Sequence, residues 1–246
     1  MCDGCGHGEA PGLSRRGFLG RASSLAGGLL GTTLLLRDAL PRTLEARLAA
    51  DRRKRILCKE AWGGAPPGDG LHRHTIQRLT VHHSGLKLTD NRDAPARFRS
   101  YQRDHMSLGW PDIAYHVLID RHGNVYKGRP AWARGDTRTS YDTTGHFLVM
   151  CEGHMSEQDI SVRQLAALSD VLAWASARFG APPRTIHGHR DYAQTDCPGT
   201  NLYRRIENGG LQRRVRRRLA EGGVELDRLC GDAGRKRVRE IEDGTD

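Results

Sequence analysis

An imidazole and a thiol stand eight positions apart in Gly188-His189-Arg190-Asp191-Tyr192-Ala193-Gln194-Thr195-Asp196-Cys197-Pro198-Gly199, at the end of a turn-rich stretch. A second cluster, Val81-His82-His83-Ser84-Gly85, follows an apolar run much earlier in the chain. One imidazole from it, His82 or His83, would complete a set of two His and one Cys. Nitrogen and sulfur donors in that ratio suit Zn²⁺. Three protein ligands leave the fourth position to water, which is the arrangement of a catalytic zinc rather than a structural one. The chemistry such a site implies is hydrolysis by an activated water.

Those residues need elements to deliver them. Ile76 to Val81 alternates β-branched and polar residues and predicts a strand ending at the His-His pair. Pro95 to about Met106 predicts a helix with Asp93 as its cap, and Ile113 to Asp120 a strand followed by a turn at His122-Gly123-Asn124. Phe147 to Cys151 is a continuous apolar run, expected to be a central strand. Ser161 to Phe179 carries Val162, Leu165, Leu168, Leu172 and Phe179 as a helical stripe stopped by Gly180. Arg184 to His187 predicts a short strand delivering His189. Leu202 to Leu219 predicts a basic helix broken near Gly209-Gly210, and the last dozen residues show no stripe and predict a frayed tail. Strands interleaved with helices predict one α/β domain, a central mixed β-sheet flanked by helices. In such a sheet, ligands collect at strand ends.

The 246 residues suffice for one sizeable domain with a leader or tail. A net charge of +10 favours anionic surroundings: nucleic acid, lipid or a wall polymer. Ser14-Arg15-Arg16-Gly17-Phe18-Leu19, followed by the weakly apolar Gly20 to Leu36, reads as a twin-arginine (Tat) export signal, with cleavage expected after Ala46. The expected destination is periplasmic, wall-associated or extracellular. The apolar run is interrupted by Arg21 and short for a bilayer, so no stable span is expected in the mature chain. Removing residues 1–46 takes away five arginines and four acids and leaves the chain basic. Arg213-Arg214-Val215-Arg216-Arg217-Arg218 lacks interleaved aromatics, which argues against nucleic acid and for a solvated face or contact with an anionic cell-wall polymer. Cys2 and Cys5 would leave with the leader. Cys151 reads as a buried strand residue, and Cys58 and Cys230 stand where a disulfide could clip the ends of the mature domain together.

Several segments, in order, carry a family resemblance: Glu60-Ala61-Trp62-Gly63; Val81-His82-His83-Ser84; Gly109-Trp110-Pro111-Asp112-Ile113-Ala114-Tyr115-His116; Asp120-Arg121-His122-Gly123-Asn124-Val125-Tyr126-Lys127-Gly128-Arg129; and the His189 to Cys197 stretch. Together they resemble the type 2 N-acetylmuramoyl-L-alanine amidases, which share a fold with peptidoglycan recognition proteins and the T7 lysozyme amidase. The resemblance implies that His82, His189 and Cys197 hold one Zn²⁺ per chain. It implies cleavage of the amide between N-acetylmuramic acid and the L-alanine of the stem peptide by zinc-bound water. Tyr115 matches the active-site tyrosine and Thr195 a position that carries Lys or Thr. His83 and Trp110 fall where substrate would bind, and Arg190-Asp191 is expected to be an ion pair shaping its loop. Some members place a catalytic acid inside the central strand, where Met150 stands here. The alternative on the same fold is a recognition module that binds peptidoglycan without cutting it, and Cys197 weighs against it. The expected organisation is a Tat signal (1–46), a basic entry segment and loop (47–75), the zinc amidase domain (56–205), and a basic helix with a tail (206–246).

Overall fold

The structure, a computed structural model, describes residues 52–246, all within the compact unit Ala46–Asp246. The export signal, Cys2, Cys5 and the cleavage position lie outside the described residues. Among the described residues, seven strands form one mixed sheet: β1 (Arg53–Leu57), β2 (Arg78–His83), β3 (Val117–Ile119), β4 (Val125–Lys127), β5 (His146–Cys151), β6 (Ile186–Gly188) and β7 (Glu225–Leu229). Their order across the sheet is β6-β2-β5-β3-β4-β1-β7. The helices are α1 (Ala94–Ser107), α2 (Val162–Phe179), α3 (Thr200–Glu207), α4 (Gly210–Ala220) and α5 (Gly231–Asp243). The mixed sheet flanked by helices is the expected fold class.

Alternation along the strands sorts side chains onto two faces. Leu79, Val81, Phe147, Val149, Val117 and Ile119 join the α2 stripe in one core. Leu57, Leu118, Tyr126 and Met150 pack on the other face against Trp62, Phe98, Val238 and Ile241. Ser161 caps α2, its Oγ accepting from Gln164 N at 3.0 Å, and Gly180 ends the helix in the left-handed conformation. The buried Gln164 amide donates to the Ile119 and Glu152 carbonyls and ties the start of α2 to the ends of β3 and β5.

Four expectations need correction. The Ile113 strand is regular only over Val117–Ile119. Its earlier part is drawn into a loop by the buried Arg129, whose guanidinium donates to the Ile113 and Asp112 carbonyls. Asp93 makes no capping bond to α1; Asp90 caps the preceding turn instead. The entry segment contains β1, which pairs with both β4 and β7, so the sheet extends to either side of residues 56–205. The expected frayed tail is α5. Gly234, Val238 and Ile241 recur at steps of four and three and are its buried residues, a stripe too narrow to stand out from sequence. A helix with so little apolar surface gains its stability from docking rather than propensity.

Cys58 and Cys230 are disulfide-bonded across a separation of 172 residues. The bond pins the end of β1 to the start of α5. Replacing both by Ser is expected to lower the unfolding free energy by about 2–5 kcal/mol, because the closed loop restricts the unfolded chain. Urea unfolding of both proteins measures this; superimposable transitions would show that docking of α5 does not depend on the bond.

Candidate metal centre

β2 lies between β5 and β6 and runs parallel to both, so the strand ends bearing His82 and the His189 segment meet at one end of the sheet. Register sets His82 beside Met150, and Met150 beside Leu118. His189 begins a short 3-10 turn after β6. The loop to Cys197 folds back, and the Cys197 carbonyl accepts from Arg190 N at 2.9 Å. Glycine is required at two close approaches. A Cβ on Gly199, whose φ is +83°, would meet the Met155 backbone at 2.5 Å, and one on Gly128 would meet the Tyr115 carbonyl at 2.2 Å.

His82, His189 and Cys197 come together with their ligand atoms within 4.8 Å of one another. His82 Nδ1 is 3.5 Å from Cys197 Sγ, close to the ~3.4–3.6 Å edge that tetrahedral zinc with N and S ligands requires. All three side chains are buried. Burial, then the neighbouring His189, holds the His82 imidazole well below its ordinary pKa, and burial lowers His189 to about 4. Both rings are therefore neutral, the form that binds metal. Burial pushes the Cys197 thiol up to about 12, so a thiolate here needs a cation beside it. Buried His82 Nε2 has no hydrogen-bond partner. Two neutral imidazoles and a thiol that a cation would ionise, at this spacing, fit a zinc ion.

The cleft above them has a volume of about 450 Å³ and is lined also by Tyr115, Thr195, His83 and Trp110. The Tyr115 ring lies 5.2 Å from the His82 ring. Burial, and next the Cys197 sulfur, raises the Tyr115 phenol well above its ordinary range, so it remains a donor. Thr195 Oγ1 accepts from Cys197 N at 3.3 Å. His83 Nδ1 accepts from Met155 N at 3.1 Å, while its backbone N–H donates to Cys197 Sγ at 3.4 Å. The half-buried Trp110 ring stands 4.9 Å from His105. Tyr115's neighbour His116 faces away and is buried, donating from Nε2 to the Ala133 carbonyl and accepting at Nδ1 from Leu148 N. Arg190 and Asp191 do not pair with each other. Arg190 bonds Asp196 at 2.9 Å and Asp191 accepts from Gly188 N, and both side chains meet Tyr203, Arg190 over its ring and Asp191 accepting from its hydroxyl.

Sequence reasoning passed over Thr137, Thr139 and Glu152. Thr139 Oγ1 is 2.7 Å from His189 Nε2, and Thr137 Oγ1 is 2.8 Å from Thr139 Oγ1. With Nε2 engaged, Nδ1 is the nitrogen His189 has free. A Thr-Arg-Thr stretch in a loop carries no signal that could have found this. Glu152, fully buried just past β5, accepts from Tyr101 of the cleft wall at 3.1 Å and from Arg97 at 3.2 Å. Its position beyond the apolar run of β5 was the available hint.

A mixed sheet with helices on both faces, and an open cleft over two imidazoles and a thiol at one end, defines the architecture shared by the amidases and the peptidoglycan recognition proteins. Residues 72–200 match the N-acetylmuramoyl-L-alanine amidase family, and the chain belongs to that family. It is 30% identical over 155 residues to peptidoglycan-recognition protein SC2 of Drosophila melanogaster, covering 61% of this chain and 84% of that protein. It is 32% identical over 151 residues to the N-acetylmuramoyl-L-alanine amidase of Sus scrofa, covering 58% of this chain and 25% of that longer protein. A similar solved structure is tracheal cytotoxin bound to the ectodomain complex of peptidoglycan recognition proteins LCa and LCx. It matches with a TM-score of 0.57 and 29% identity over 62% of this chain and 94% of that one.

Two outcomes follow from this geometry. Thr139→Val is expected to weaken zinc binding about 10–100-fold, with Thr139→Ser restoring it, since a hydroxyl that orients a ligand ring acts on affinity. Competition with a chelating dye reads this without any activity assay; equal affinity in all three proteins would remove Thr139 from the site. Burial raises Glu152 from 4.5 to about 7. A raised carboxyl pKa means the folded state holds the proton more tightly. That stability is complete below pH 4.5 and is lost as pH rises through about 7. Relative to Glu152→Gln, the unaltered protein should therefore lose on the order of 3 kcal/mol across that window. A constant difference in unfolding free energy would show that Glu152 titrates normally.

Proposed function

We propose that this chain is an exported, zinc-dependent peptidoglycan hydrolase that cuts the amide between N-acetylmuramic acid and L-alanine. The observation that carries the reading is the convergence of His82, His189 and Cys197 at the floor of an open cleft beside Tyr115. Family membership and the similarity to peptidoglycan recognition proteins support peptidoglycan as the substrate class. Export rests on the Ser14-Arg15-Arg16 motif, with residues 1–46 as leader and residues 56–205 as the catalytic region. No helix among the described residues is long and apolar enough to cross a membrane.

Zinc bound by these residues supplies Lewis-acid polarisation of the scissile carbonyl and a water of lowered pKa. Around it, Tyr115 keeps its proton and donates a hydrogen bond to the oxygen on which negative charge develops. Such a donor is worth about 10²–10³ in rate. Thr195 holds the Cys197 loop through its oxygen and leaves its own proton free for water or intermediate. It is too weak an acid and base to move the proton alone. Met150 brings no carboxyl to the cleft. Trp110 and His83 line the cleft where sugar and peptide would pack.

The experiment pairs zinc content with digestion of peptidoglycan by the purified chain, Cys197→Ala and Tyr115→Phe. One zinc per chain with new L-alanine amino termini is expected. Cys197→Ala should lose both, and Tyr115→Phe should keep zinc and lose about 10²–10³ in rate. Stoichiometric zinc with wall binding and no cleavage would establish the recognition module instead. Absence of zinc from the unaltered chain would overturn the ligand assignment.

A further inference from the structure

The end of the sheet that carries the His-His-Cys cleft has a second concavity, four strands away. Its volume is about 380 Å³, and β1, the turn between β3 and β4, the start of α2, and α5 build its walls. Arg53, Lys54, Arg55, Arg163 and Arg237 line it, and no carboxylate side chain does. Register fixes where it opens. His83 pairs with Cys151, Cys151 with Ile119, Ile119 with Val125 and Val125 with Ile56. Because β1 runs opposite to β2, residues 53–55 project past this row at the end where β2 delivers its histidines. Four strand spacings, roughly 19 Å, separate β1 from β2.

The charges here are only partly compensated. Arg53 pairs with Asp227 at 2.8 Å, and Arg237 with Glu240 at 3.2 Å and Asp246 at 3.8 Å; none of these acids is in the lining, though Asp246 also accepts from the lining residue Asn124 at 3.0 Å. Among the described residues, Lys54, Arg55 and Arg163 have no carboxylate within ion-pair distance. Lys54 is also half-buried. Burial is the main cause holding its ammonium below the ordinary value, and Asp170 and Asp120 offset that only in part. A half-buried ammonium and two guanidiniums lining one cavity, with no carboxylate in ion-pair distance among the described residues, gain most from an oxyanion whose several oxygens accept from planar forks. On the basic helix α4, by contrast, Arg217 lies beside Glu221 and Arg218 beside Asp170.

We propose that this cleft is a phosphate-oxyanion site that grips a phosphodiester polymer, tethering the protein while the metal cleft works on the other side of the sheet's width. The site assigns the anionic-polymer contact expected of Arg213–Arg218 to this cavity instead.

The test uses the full chain and two probes, a labelled poly(glycerol phosphate) oligomer and inorganic phosphate, followed by anisotropy and competition at low and physiological ionic strength. Arg55→Gln and Arg163→Gln alter exposed residues and are combined; Arg213→Gln with Arg216→Gln on α4 is the charge-matched control. The cleft pair is expected to weaken polymer binding on the order of 100-fold, about tenfold per lost contact, and the control pair by less than about threefold. The polymer is expected to bind more tightly than inorganic phosphate. Equal losses in both pairs, or no polymer binding, overturns the site. Inorganic phosphate binding as tightly as the polymer assigns the site to the free ion and overturns the tether. Cleavage of a soluble muropeptide by the cleft pair, expected at the unaltered rate, keeps failure here distinct from failure of the hydrolase reading.

Discussion

Parallel pairing of β2 with β5 on one side and β6 on the other is the constraint on which the rest depends. Parallel neighbours bring their carboxyl ends to the same end of the sheet, so the residue leaving β2 and the loop leaving β6 must meet. His82 and His189 are thereby neighbours in space while lying far apart in sequence. A one-residue slip of β2 against β5 would turn His82 into the α2 core and bring Val81 or His83 to the cleft. The apolar alternation of Leu79 and Val81 opposes that slip, because it would expose both to the polar end of the site. The register that builds the core also aims the imidazole.

The centre is assembled from groups that burial keeps uncharged. His82, His189, His83 and His105 are all held below the usual imidazole range, with desolvation the first cause in each. Tyr115 and Cys197 are held in their protonated forms by the same effect. A low-dielectric floor of neutral donors and acceptors favours a bound cation strongly, since solvent screening there is weak. It also means that local polar contacts, such as Thr139 on His189, decide which nitrogen is presented.

Around this floor, the walls are held by ties that cross the chain. The buried Arg129 guanidinium donates to the carbonyls of Asp112, Ile113 and Arg134, and so holds the Tyr115 loop against the Asp136–Tyr141 segment. Lys59 pairs with the buried Asp112 beneath the same loop. The disulfide and α5 then close the far edge, where β1 and β7 extend the sheet away from the metal cleft.

Much of this was legible in order along the chain. The strands leading to His82 and ending at Cys151, the long helix from Ser161 and the break at Gly209-Gly210 follow from local periodicity, which needs only neighbours in sequence, while Tyr115, Thr195 and the choice of His82 over His83 came from the family resemblance. What stayed hidden depends on partners distant in sequence. The strand Arg53–Leu57 has three charged residues in five and becomes a strand because β4 and β7 flank it. Helix α5 is held by three buried positions and a disulfide rather than by its own composition. Thr139 and Glu152 acquire meaning only where folding places a hydroxyl on His189 and a carboxyl under Tyr101. The sequence by itself determined the fold class and the chemical types gathered in the cleft, because hydrophobic period and donor identity are local properties. Only the tertiary structure decided which nitrogen the His189 ring has free, which polar groups support it and where the basic charge gathers into a cavity, because each depends on distances set by long-range pairing.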